Sequence, residues 1–262
     1  FIAKAAIDRI FKYGEKVSLK EYKKFKFIFQ KFEKIILPLS EFPSAAAQGC
    51  IALEFRKDDL KIKRILNKIN HISSLEDCLM ERKYLAKWGG GCALDIGVTI
   101  ENFLNKKVLF VRGRDAHTKK YFKEKKYLNK INTKKVQNVF PSKLSKYQMF
   151  KRELNDFSKK LDNKNLLLTR GDYKETKSLK NASNITTSGI STWKKINQKG
   201  ILVNSTLDGF GEDYREIEDY YKSKKAPLFK LSYKGNSFKS KYSIISHYSL
   251  VPSINEFTVD SL

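Results

Sequence analysis

Apolar residues recur at helical spacing near the start of the chain. Ile2, Ala6, Ile7, Ile10 and Phe11 share one face, which predicts a helix over 2–13 with Gly14 as its stop. A second helix is expected from Ser18 or Lys20 to Ile36, and Pro38 to Gly49 reads as loop. Cys50 to Phe55 is short and apolar, as a buried strand would be, and Asp58 to Asn67 returns to a helical pattern. Ser73-x-x-Glu76 forms a capping box that opens a helix running through Trp88. Leu75, Cys78, Leu79, Arg82, Leu85 and Ala86 then line one face, the arginine stem packing while its head reaches a partner. Leu94 to Phe103 and Lys107 to Arg112 alternate as two strands paired across Leu104-Asn105.

Residues 113–164 are lysine-rich and weakly periodic, with a linker helix expected around Tyr147 to Leu161. The pattern then changes. Leu166 to Arg170 is a predicted strand; Ile185 to Gly189 is a strand ending in the hydroxyl-rich turn Thr187-Ser188-Gly189; Ser191 to Gln198 is a helix capped by serine. Gly200 to Asn204 is a third predicted strand, followed by Asp208-Gly209-Phe210-Gly211-Glu212, and Ser243 to Val251 is another. Strand, small-residue turn and helix in alternation imply a parallel α/β module. His247, on the last strand, is expected to be structural.

A chain of 262 residues with 41% hydrophobic content can build more than one core. No apolar run approaches membrane-spanning length, no secretory leader is read, and no membrane partner is expected. The three cysteines, Cys50, Cys78 and Cys92, lack CxxC spacing. They are expected to be unpaired thiols of a reducing cytoplasm, with no metal site, and Cys50 and Cys78 to be core residues. The formal charge of +25 raises the alternative of a basic nucleic-acid-binding module without enzymatic activity. Against it, the lysines are spread along the chain among Asn and Ile, as an A/T-biased genome would leave them. No specific nucleic-acid partner is therefore expected, although a positive field would concentrate a polycarboxylate ligand.

The candidate chemistry lies at Gly89-Gly90-Gly91-Cys92. A thiolate is a strong nucleophile when partly exposed beside positive charge, and Arg82, Lys83 and Lys87 are close in sequence. The glycines remove side-chain bulk and widen the available backbone conformations, so a large ligand can approach. The competing reading is an ordinary glycine helix stop followed by a structural cysteine.

The run from Asn70 to Leu85, continued by Gly89-Gly90-Gly91-Cys92-Ala93-Leu94-Asp95-Ile96-Gly97, resembles the cofactor-loop region of the hydroxymethylbilane synthase (porphobilinogen deaminase) family. Phe42-Pro43-Ser44-Ala45-Ala46-Ala47-Gln48-Gly49, followed by Cys50 to Glu54, resembles the family's proline-containing loop ending in Gln-Gly, and 44 positions separate Gln48 from Cys92 without a gap. Ala47 stands where many relatives have glycine, and Asp95 where proline is usual. Ala5 to Ile10 resembles the family's helix with a carboxylate-binding arginine, here Arg9, whose alternative is a surface ion pair with Asp8 or Glu15. Tyr22 to Ile36 reads as an inserted helix.

The resemblance implies a mixed α/β and α+β chain in four parts. These are 1–56, the end of a periplasmic-binding-protein-like second synthase domain; 57–135, a small α+β third domain with the cofactor cysteine; 136–164, a linker; and 165–262, an α/β module that weakly resembles uroporphyrinogen-III synthase through Thr187-Ser188-Gly189 and Ser191-Thr192-Trp193. Both ends read as incomplete. The resemblance further implies a transferase of porphyrin and heme biosynthesis, cytoplasmic and monomeric, that condenses porphobilinogen into a linear tetrapyrrole. Its dipyrromethane cofactor would be attached covalently to Cys92, with Gln48, Gly49 and Gly91 beside it and Arg9 on the substrate. No segment matches the family's aspartate-bearing region, so no catalytic acid is assigned.

Overall fold

The computed structural model describes residues 1–89, 94–104, 106–129, 150–156, 161–214, 227–233, 235, 240 and 242–252. Among the described residues, helices and two β-sheets make a mixed α/β protein, as the element pattern predicts. The chain divides into two compact units, one of residues 37–132 and the other of residues 1–36 with 133–262. Among the described residues no helix is long and apolar enough to cross a membrane, and no group of three or more His, Cys, Asp or Glu is placed to hold a metal.

In the 37–132 unit, α3 (Leu60–Ile69) and α4 (Ile72–Leu85) precede an antiparallel sheet of β1 (Ile96–Phe103), β2 (Lys106–Arg114) and β3 (Tyr121–Tyr127), in that order. The predicted hairpin is present, with Ile96 opposite Gly113 and Phe103 opposite Lys106. Alternation puts Ile96, Val98, Ile100, Leu109 and Val111 on one face, where Met80, Tyr84, Leu85 and Trp88 pack against them. The expected stripe on α4 is therefore displaced around the helix. Leu75 and Leu79 are exposed, and the sheet-facing row is Met80, Tyr84 and Trp88 at four-residue intervals. The capping box is also displaced: His71 is the N-cap, its Nδ1 accepting from the Ser74 N–H at 3.3 Å.

The predicted strand over Cys50 to Phe55 is absent; that stretch is irregular, and Ile51 is 90% exposed. Apolar content alone forms no ladder where no neighbouring strand offers hydrogen bonds.

In the other unit, α1 (Lys4–Val17) runs through Gly14 and ends at Ser18, not at the glycine. Ser18 closes α1 through its N–H to the Gly14 carbonyl and opens α2 (Leu19–Gln30) by accepting from the Glu21 N–H. Phe11 of α1 meets Tyr22, Phe25 and Phe29 of α2 edge-on, at centroid distances of 6.2, 5.6 and 5.2 Å. The second helix stops six residues short of the expected Ile36. Lys34 Nζ donates to the Phe32 carbonyl, and the chain beyond is extended, Ile36 donating to the Asn204 carbonyl at 2.7 Å.

The same unit holds a six-stranded sheet in the order β4-β9-β8-β5-β6-β7. Its members are β4 (Phe150–Leu154), β5 (Asn165–Leu168), β6 (Asn184–Thr187), β7 (Ser205–Thr206), β8 (Leu228–Tyr233) and β9 (Ser243–Pro252). All neighbours are parallel except β4, which runs antiparallel to β9. The core gathers Leu161, Leu166, Leu168, Ile185, Leu231 and Ile245 from the sheet side, and Ile196 from α5 (Ile190–Gln198).

Three local expectations change here. The linker helix is not formed over Phe150–Leu154, where pairing with the long β9 makes an edge strand; 147–149 and 157–160 lie outside the described residues. Gly189, not a serine, is the N-cap of α5. The strand expected over Gly200 to Asn204 is absent and a short one follows it at Ser205–Thr206; at Asn204 the side-chain Oδ1, not a main-chain carbonyl, accepts from the Ile185 N–H at 2.7 Å.

Candidate cofactor-loop site

The 37–132 unit carries the loop with Gln48 and Gly49 and the helix that leads to Cys92. Pro43 and Ser44 run beside β1. Ser44 donates its N–H to Thr99 Oγ1 at 2.8 Å, its carbonyl accepts from the Val98 N–H at 2.8 Å, and the two hydroxyls are 2.8 Å apart. Gly97 permits this approach, since a Cβ there would lie 2.2 Å from the Pro43 carbonyl oxygen. The loop then tightens. Gln48 donates its N–H to the Ala45 carbonyl at 3.0 Å while its side-chain Oε1 accepts from the Ala45 N–H at 3.2 Å. Ala47 sits at φ 61° and Gly49 at φ 87°, both left-handed. Ala47 thus takes a conformation that favours glycine, at a cost of about 1 kcal/mol.

Two buried carboxylates fix this loop. Glu41, 5% exposed, is bridged by Arg112, which donates from Nη1 to its Oε2 at 2.9 Å and to its main-chain carbonyl at 2.5 Å, and by Lys123 on its Oε1. Glu81, the buried residue of α4, accepts from the Ala47 N–H on Oε2 and from the Ile100 N–H on Oε1, both at 2.7 Å. Burial raises the Glu81 pKa above the ordinary carboxylate value, Asp77 adds to the rise, and the two N–H donors oppose it. Glu81 was not a candidate from sequence. The signal for it was the spacing Met80, Tyr84, Trp88 beside Glu81 and Leu85, which marks the sheet-facing side and so a carboxylate with no route to solvent.

Cys50 and Cys78 are joined by a disulfide spanning 28 residues, which overturns the expectation of three unpaired thiols. The spacing rule failed because the loop folds back onto α4, a contact between positions far apart in sequence. Neither cysteine is a core residue: Cys50 is exposed and Cys78 half-buried.

Beyond α4 a 3-10 turn (Ala86–Trp88) ends at Gly89, whose φ of 95° and N–H bond to the Ala86 carbonyl stop the helix. Cys92 and Gly91 lie outside the described residues. What flanks them is described. Trp88 stacks on Phe122 with centroids 4.9 Å apart, and the ammonium groups of Lys87 and Lys126 lie 4.0 and 5.5 Å from the Tyr84 ring centre. Arg82 and Lys83 are exposed. Arg9 is exposed on α1, in the other unit, and Asp8 pairs with Lys4 at 2.6 Å.

A segment of this chain is similar to porphobilinogen deaminases. The identity is 42% over 69 residues with the protein of Kluyveromyces lactis, covering 26% of this chain and 21% of that one. It is 36% over 74 residues with that of a Nostoc species, covering 28% and 23%. With a probable porphobilinogen deaminase of Saccharolobus islandicus it is 44% over 62 residues, covering 24% and 21%. The chain spans about a fifth of the length of these curated relatives. No family model and no solved structure matches it.

Proposed function

We propose that this chain supplies the cofactor-bearing part of a hydroxymethylbilane synthase, a transferase of tetrapyrrole biosynthesis. The observation that carries the reading is that Gly-Gly-Cys follows in sequence a helix that stops at left-handed Gly89, whose last turns carry the Trp88–Phe122 stack and Lys87 over Tyr84. The donor chemistry suits a covalently held dipyrromethane: Cys92 offers a thiolate, glycines leave space, and the cations of Lys87 and Lys126 are complementary to pyrrole carboxylates. When bound, that group provides the end onto which porphobilinogen units are joined head to tail, ammonia leaving at each step.

The chain's own residues hold and position. Cys92 anchors through a thioether, a bond that does not hydrolyse during turnover. Gln48 and Gly49 present a polar turn, and the side-chain nitrogen of Gln48 is left to donate because its Oε1 is engaged with Ala45. Arg9 is assigned to a substrate carboxylate, for which a guanidinium fork is the fitting donor. The α/β unit is read as a module like uroporphyrinogen-III synthase, a reading supported by its parallel sheet and by the Thr187-Ser188-Gly189 turn at the end of β6.

Intact mass decides the central claim. Expressed as the complete protein in cells making porphobilinogen, the wild type and Cys78→Ser should carry the cofactor mass and Cys92→Ser should lack it. Cofactor on Cys92→Ser, or none on any form, would overturn the reading.

A further inference from the structure

We propose that Glu81 is the positioning residue that holds the Gln48–Gly49 turn in its ligand-ready shape; the ligand named here, porphobilinogen or its growing chain, rests on the synthase reading above. Glu81 is 8% exposed, yet both its oxygens are engaged, each by one main-chain N–H. The two donors come from different elements. Ala47 belongs to the turn and Ile100 to β1, so one side chain on α4 ties the loop to the sheet at a single point.

The turn requires such a tie because its backbone is unfavourable where the tie falls. Ala47 holds φ 61° without being glycine, and its N–H is the group that Glu81 receives. One helical turn before Glu81 on α4, Cys78 fastens the other end of the same turn at Cys50. Gln48 and Gly49 lie between these two fastenings. A carboxylate suits the position because two donors converge on it. An amide of the same shape has one acceptor oxygen and would set its NH₂ against one of the two N–H groups. Ordering the turn in advance removes a cost that ligand binding would otherwise bear, so its loss should appear in apparent affinity more than in turnover.

The test compares Glu81→Gln with Met80→Ala in the complete protein. Met80 packs on the sheet beside Glu81, and it marks what loss of helix packing alone does. Glu81→Gln should speed amide exchange at Ala47 by about tenfold and raise KM for porphobilinogen by about tenfold, with kcat changed much less. Met80→Ala should lower stability and leave KM near the wild-type value. Adding Ala47→Gly to Glu81→Gln should restore much of the KM, because glycine adopts the left-handed conformation unaided. An equal rise in KM in Met80→Ala, or unchanged exchange at Ala47 in Glu81→Gln, would reduce Glu81 to a structural residue and overturn the proposal. If no form turns over porphobilinogen, the synthase reading fails, and exchange at Ala47 still decides whether Glu81 holds the turn. Should Glu81→Gln not fold, exchange in the wild type decides: Ala47 should be protected as strongly as Ile100, and rapid exchange at Ala47 would overturn the proposal.

Discussion

The two sheets bury polar groups in different ways. Among the described residues of the 37–132 unit two carboxylates are buried beside the neutral Ser40 and Thr99: Glu41 is neutralised by Arg112 and Lys123, and Glu81 is held by two main-chain N–H groups. Around the parallel sheet the buried polar groups are mostly neutral. Thr186 and Ser205 share a hydroxyl contact at 2.9 Å, Asn204 completes the ladder to Ile185, and His247 is fully buried, stacked on Tyr173 with its Nδ1 on the Ser232 carbonyl. A charged clamp ties a loop tightly but depends on each partner, because a buried charge that loses one is left poorly compensated. A neutral network tolerates more, and it is broken by whatever charges it.

The largest expected effect therefore comes from acid. Burial lowers the His247 pKa from 6.5 to about 4, with Asp172 opposing the shift. A depressed histidine pKa means the unfolded chain takes the proton first, so stability is full above 6.5 and is lost as pH falls toward 4, by about 3 kcal/mol at the low end. Glu81 has the opposite sign: its raised pKa makes its contribution greatest at low pH, and that contribution declines as pH rises from 4.5 through the folded value. Acid should therefore weaken the α/β unit before the other. Each unit has its own tryptophan, Trp193 in α5 and Trp88 in the 3-10 turn after α4, so urea unfolding of Trp88→Phe and Trp193→Phe at pH 7 and pH 4.5 reads them separately. Equal losses in both units, or a loss at Trp193 that persists in His247→Gln, would break the contrast.

A middle-sized effect is expected at the charged clamp. Arg112→Met leaves the buried Glu41 with Lys123 as its cation and should lower the stability of the 37–132 unit by about 1 to 3 kcal/mol. The double variant with Glu41→Leu should recover part of the loss, since the carboxylate that suffers is then gone. A loss within about 0.5 kcal/mol for Arg112→Met would place the pair with ordinary surface bridges.

The smallest effect sharpens the view of the loop. Ala47→Gly relieves the left-handed strain but loosens the unfolded chain, so a gain of about 0.5 kcal/mol is expected in thermal or urea unfolding. A clear loss would mean that the alanine methyl packs in a way that outweighs its backbone.

Elements with strong local signals were legible in the sequence. The hairpin of β1 and β2 follows from alternation, the strand β5 from a short apolar run, β6 from the β-branched run Ile185-Thr186-Thr187, and the helix before Gly89 from its spacing. The loop with Gln48 and Gly49 was marked by its proline and glycine. The misplacements were of other kinds. Gly14 lies inside a helix because Ser18 offers a better stop and start, and Phe150–Leu154 is a strand because β9 runs long enough to pair with it.

Local pattern by itself determined where the chain bends, which segments can be helix or strand, and that a thiol follows a glycine run. Only the tertiary structure decided which face of α4 meets the sheet, that Cys50 reaches Cys78, and that Glu81 lies between Ala47 and Ile100. The reason is range. Propensity and periodicity act over a few residues, whereas these contacts join positions 19 to 34 apart. A side chain's partner at that distance is set by how helix, loop and sheet pack together.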